Sequence, residues 1–66
     1  MITLTRPNGQ PVMLNCELIE TVEQNGETVI ALTTGNAVVV RDSIEEIERK
    51  VIAFKQRAYG ARHFGD

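Results

Sequence analysis

The sequence has one cysteine, Cys16, one histidine, His63, and no tryptophan. A single thiol closes no internal disulfide, and one cysteine with one histidine cannot furnish a four-ligand Cys/His zinc site within one chain. Long apolar runs are missing too: none exceeds four residues, Ala37–Val40 among them, whereas a bilayer-spanning helix needs roughly 20. No membrane span is therefore expected. Arg6 is the only basic residue before Arg41, and no apolar stretch follows it, so a secretory signal is not expected either. A lone thiol suits a reducing compartment, and the chain reads as cytoplasmic.

What is present suffices for one small domain. Hydrophobic residues make up 42% of the 66 and charged residues 24%, too apolar a mixture for intrinsic disorder. A domain of this size buries only about 60% of the surface its unfolded chain exposes. With disulfide and metal excluded, association with another copy is the remaining common means of support. The net charge of −2 is uneven. Up to Asp42, two arginines face five acidic residues; from Ser43 onward, five basic residues face four acidic ones. An acidic first part is a poor start for a nucleic-acid surface, which needs several phosphate-facing cations together. No DNA partner is expected.

Asn8-Gly9, Asn25-Gly26 and Gly35-Asn36 punctuate a β-prone stretch. Asn-Gly between such runs signals a hairpin, with both residues at positive φ if the turn is type I′. The spacing predicts strands over 2–6, 11–14, 19–24, 28–33 and 37–41, with a glycine-free corner at Asn15-Cys16-Glu17-Leu18. Ile2 and Leu4 alternate with threonines, and Ile30 and Leu32 alternate with Val29 and Ala31, so one sheet face is strongly apolar.

Ser43 followed by Glu46 is a capping box and predicts a helix start. Ile44, Ile47, Val51, Phe54 and Ala58 then form an apolar stripe that can cover the sheet, with Glu45/Arg49 and Glu46/Lys50 as i,i+4 pairs elsewhere on the surface. Ile52 and Tyr59 lie off the stripe as a second apolar seam, and Gly60 ends the helix. The expected fold is thus α+β: an antiparallel β-meander of four or five strands with one C-terminal amphipathic helix. The domain spans 1–59, and 60–66 forms a mobile tail.

The residues offer no catalytic constellation. Cys16 with His63 is the only possible thiol–imidazole pair, and His63 falls in the tail, so Cys16 reads as packing. Glu17, Glu20 and Glu23 recur at a spacing that alternates faces along a strand, which separates rather than pairs their carboxylates. Gly9, Gly26 and Gly35 lack the strand-loop-helix setting of a phosphate cradle. No catalytic, cofactor-binding or metal-binding residue is assigned, and the protein is expected not to be an enzyme. Arg6 and Arg41 each end a strand, either as edge charges that discourage strand-to-strand aggregation or as recognition cations. Met13, Val29 and Ala31 point opposite to Leu14, Ile30 and Leu32, and Val38-Val39-Val40 places apolar groups on both faces. One helix covers one face, so a homo-oligomer is expected to bury the other. The candidate interaction surface is Arg6, Arg41, Met13, Val29, Val39, Ile52 and Tyr59.

The order of short motifs adds a further expectation. The opening Met1-Ile2-Thr3-Leu4-Thr5-Arg6 precedes Asn8-Gly9, Leu14-Asn15 and Leu18-Ile19-Glu20-Thr21-Val22-Glu23. Thr28-Val29-Ile30-Ala31-Leu32-Thr33 follows, then Gly35, and Val39-Val40-Arg41-Asp42-Ser43 leads into Glu45-Glu46-Ile47. Over residues 1–58 this resembles the small bacterial flagellar proteins called FlbD or SwrD, distinct from the larger transcription activator that shares the first name. The resemblance implies a non-enzymatic accessory of flagellar motility and swarming, with stator or other motor proteins as partners, peripheral at the flagellar base. Pro7, where that family commonly has a bulky apolar residue, and the tail after Ala58 depart from it. The chain also resembles the carbon storage regulator, a small dimeric RNA-binding protein, in its Leu-Thr-Arg strand end and its valine-rich strand with an arginine before a helix. That alternative implies RNA contacts by Leu4, Arg6 and Arg41, against which the acidic balance and the 15–22 and 28–35 segments argue.

Overall fold

Strand β1, Ile2–Thr5, runs antiparallel to β2, Pro11–Leu14, with Ile2 opposite Leu14 and Thr5 opposite Pro11 in a computed structural model that describes residues 1–59, Tyr59 by its backbone alone. Arg6 and Gln10 extend the pairing and close a three-residue loop, Pro7-Asn8-Gly9. Arg6 N–H donates to the Gln10 carbonyl at 2.8 Å, and Gly9 N–H donates to the Arg6 carbonyl at 2.9 Å. Pro7 supplies its fixed φ at the second turn position, and Gly9 takes φ +93, the left-handed geometry that ends such loops. Leu32, Gly35 and Asn36 repeat the same hydrogen-bond pattern between β4, Glu27–Leu32, and β5, Ala37–Val40.

The type I′ turns expected at the Asn-Gly pairs do not form, because no residue other than glycine has positive φ. An L side chain is disfavoured there, and a three-residue loop needs the left-handed conformation only at its last position. At the second Asn-Gly, β3, Ile19–Asn25, meets β4 with Asn25 opposite Glu27 and Gly26 alone at the apex. A two-residue turn would have set Gln24 against Glu27; the register pairs Gln24 with Thr28.

All five expected strands are present, but they divide into two antiparallel sheets, β1-β2 and β3-β4-β5, rather than one meander. The cause lies at the glycine-free corner. Asn15 Oδ1 accepts the Glu17 N–H at 3.0 Å, and Leu18 N–H donates to the Asn15 carbonyl at 3.0 Å, closing a 3-10 turn over Cys16–Leu18. That turn redirects the chain, so β3 leaves without pairing with β2. A single backbone bond, Arg41 N–H to the Thr5 carbonyl at 2.8 Å, links the two sheets, while Thr33 N–H to the Leu18 carbonyl at 2.8 Å continues the β3-β4 pairing beyond Leu32.

Helix α1, Ile44–Tyr59, begins at the expected capping box. Ser43 N–H donates to Glu46 Oε1 at 2.8 Å, and Glu46 N–H donates to Ser43 Oγ at 3.1 Å. The helix packs against β1 and β3. Ile47 enters the core formed by Ile2, Leu4, Leu14, Cys16, Ile30 and Val40, with Val51 and Phe54 half-buried against it. Full burial of each aliphatic side chain contributes about 1.5–3 kcal/mol. Ile44 and Ala58, expected in the same stripe, are exposed. A 16-residue helix is about 24 Å long, against about 13 Å for the four-residue β1, so the sheets cannot cover the stripe from end to end. The expected tail at 60–66 lies outside the described residues.

Candidate functional site

The residues expected to form one interaction surface occupy separate places. Arg6 and Arg41 come to one corner, because the Thr5 carbonyl beside Arg6 accepts the Arg41 N–H. Their side chains differ in engagement. Arg41 Nη2 donates to the Pro7 carbonyl at 2.8 Å, clamping the β1-β2 loop from the end of β5. Arg6 is exposed, with no side-chain partner among the described residues. Arg41 thus also ties the loop to β5 while its guanidinium stays exposed.

Asp42, the next residue, is buried beneath this corner. Its Oδ1 accepts the Thr5 N–H at 2.7 Å, and its Oδ2 accepts from Lys50 Nζ at 3.0 Å. Lys50 Nζ also donates to the Thr3 carbonyl at 2.8 Å. Burial pushes the Asp42 carboxyl up, but the Thr5 N–H and the Lys50 ammonium together outweigh it, and the net position is below the ordinary value. This arrangement replaces the expected Glu46/Lys50 pair. Glu46 is occupied by the cap, and Lys50 reaches over β1 to form an ion pair with Asp42 at 3.0 Å.

The outer face of the three-stranded sheet carries Glu23, Val29 and Val39 in line across β3, β4 and β5. Val29 is 37% exposed and Val39 half-buried. Met13, 64% exposed, stands opposite Thr3 on the other sheet. Met13 therefore stands on a different sheet from Val29 and Ala31.

An open groove of about 420 Å³ runs between α1 and β3, floored by Cys16, Ile19, Val22, Ile47 and Val51 and flanked by Ile44, Glu48, Ile52 and Lys55. Ile52, 50% exposed, belongs to it; the expectation for the Tyr59 side chain lies outside the described residues. β3 is the outer strand of its sheet, which is why a cleft rather than another strand lies beside α1. Sequence periodicity singled out Ile52 but missed the groove, since its far wall comes from the 3-10 turn and β3.

Cys16 packs in the core, in line with its reading as a packing residue. Glu17, Glu20 and Glu23 are exposed, and among the described residues no group of three or more His, Cys, Asp or Glu could hold a metal ion. No helix of the described residues is long and apolar enough to cross a membrane.

Comparison with curated proteins and with solved structures finds no match. The family model FlbD, flagellar and swarming motility proteins, matches residues 1–59 of the 66. That match takes in both sheets, the 3-10 corner, the capping box and the whole helix, and the chain belongs to the FlbD family.

Proposed function

We propose that the protein is a non-enzymatic accessory of flagellar motility that supports the motor and its stator through protein–protein contacts, working at the cytoplasmic side of the flagellar base. The family match over residues 1–59 carries this reading. The distribution of surface chemistry supports it: exposed apolar groups at Met13, Val29, Ile44 and Ile52 suit protein partners. An RNA-binding regulator would use Arg6 and Arg41 on phosphate, and one nitrogen of Arg41 is already engaged by the Pro7 carbonyl.

Deleting the gene and restoring it on a plasmid tests the proposal. The expected outcome is a flagellated cell that swims slowly or fails to swarm under viscous load, with motility restored by the wild-type chain. Affinity capture against stator and export components should retain a motor protein, while RNA filter binding should show only weak, steeply salt-dependent retention. Unchanged swimming and swarming under load would overturn the reading. Sub-micromolar, sequence-selective RNA binding at physiological salt would replace it with the regulator.

A further inference from the structure

The groove between α1 and β3 combines an exposed apolar seam with two charges of opposite sign on the same helix. Glu48 and Lys55 both line it, about 10.5 Å apart along the axis at 1.5 Å per residue. Neither has a hydrogen-bond or ion-pair partner among the described residues. Their midpoint falls between Val51 and Ile52, the apolar residues at the middle of the seam.

We infer that this groove is a self-association site, in which α1 of a second copy packs antiparallel to the first about a two-fold axis between Val51 and Ile52. The inference rests on the reading that the protein works through protein contacts and names one of them. The charge pattern selects this occupant and this direction. A two-fold axis at that midpoint sets Glu48 of each copy against Lys55 of the other, making the same favourable contact twice. On this face it sets no like charges against one another. A parallel pairing would instead set Glu48 against Glu48 and Lys55 against Lys55. At the centre, Ile52 of one copy meets Val51 and Ile52 of the other, covering apolar surface that the single chain leaves in water.

Sedimentation equilibrium of the full chain over a wide micromolar series tests the assignment by charge exchange. The wild type is expected to dimerise. Glu48→Lys and Lys55→Glu should each weaken dimerisation by about tenfold or more, because each change turns two attractive rim contacts into repulsive ones. The double exchange should restore it. Ile52→Asp, at an exposed position, should abolish association while circular dichroism shows an unchanged fold. A chain that stays monomeric throughout the series overturns the inference and leaves the groove to a foreign partner. A dimer indifferent to the single reversals, or to Ile52→Asp, overturns it too and moves the contact to another face. The motility role is read separately by swimming under load, so failure of the dimer and failure of the functional reading are distinguishable.

Discussion

Lys50 Nζ lies 3.0 Å from Asp42 Oδ2 while the other oxygen of that carboxylate accepts the Thr5 N–H. One buried acid therefore joins the link between β5 and α1 to β1 and to the middle of α1. Lys50 extends the join to the Thr3 carbonyl, so both faces of the contact between β1 and the helix are tied by charge-assisted bonds, roughly twice as strong as neutral ones.

Removing the acid should cost more than removing its cation. Asp42→Ala leaves the Thr5 N–H without an acceptor in a buried setting and is expected to destabilise by about 2–3 kcal/mol. Lys50→Met keeps the Thr5 bond and loses a partly exposed ion pair together with the bond to the Thr3 carbonyl, so about 1–2 kcal/mol is expected. Urea denaturation of the two variants checks the order; equal losses would assign the network's strength to the ion pair.

The same residue sets a pH dependence. The folded protein holds the Asp42 carboxyl below its ordinary 3.8, so its charged form is favoured by folding. The resulting stabilisation is complete above the unfolded value and is lost as pH falls through the lower folded one. Stability should rise with pH through the window below about 4, and Asp42→Asn should flatten that rise. Denaturant midpoints measured at several acidic pH values read the difference.

Ser43→Ala should cost about 1 kcal/mol through loss of the helix cap. Because Glu46 bonds back to the Ser43 N–H, the two residues act as a unit, and the Ser43→Ala/Glu46→Ala double variant should lose less than the sum of the singles. A double-mutant cycle in urea measures the coupling.

Gly9→Ala and Gly35→Ala place a side chain at φ +93 and +96 respectively. Each should destabilise by about 1–2 kcal/mol from backbone strain. Space is adequate at both: a Cβ at position 9 meets Arg41 Nη2 at an ordinary 3.9 Å, and at position 35 it meets nothing within 4 Å. Similar losses in thermal unfolding would assign the cost to strain; a much larger one at Gly9 would show that the Arg41 clamp also moves.

The order of elements was legible in the sequence because each rests on local chemistry. Gly9, Gly26 and Gly35 mark the loops, Ser43 and Glu46 mark the helix start, and the alternation of Ile2 with Leu4 marks a buried face. Turn type was not legible, since Asn-Gly serves both a two-residue loop and the end of a three-residue one, and the choice depends on the strand register. The split into two sheets depends on the Asn15 side chain bonding forward to Glu17 rather than to solvent. The Asp42 network and the α1/β3 groove were hidden for a common reason: their parts meet only when segments distant in sequence pack. Lys50 has Glu46 at the helical i,i+4 spacing and takes Asp42 instead.

The tie from Thr3 to Lys50 spans 47 positions and that from Thr5 to Asp42 spans 37, whereas the three strand pairings close over short loops. Hairpins can form early and independently, since brief loops are cheap to close. β1 gains its buried acceptor and its cover only when the far end of the chain arrives. Docking of α1 then completes two sheets already shaped by their own turns, and a chain cut short before Lys50 keeps the Arg41 and Asp42 ties to Thr5 but loses the bond to the Thr3 carbonyl and most of the helix that covers the core.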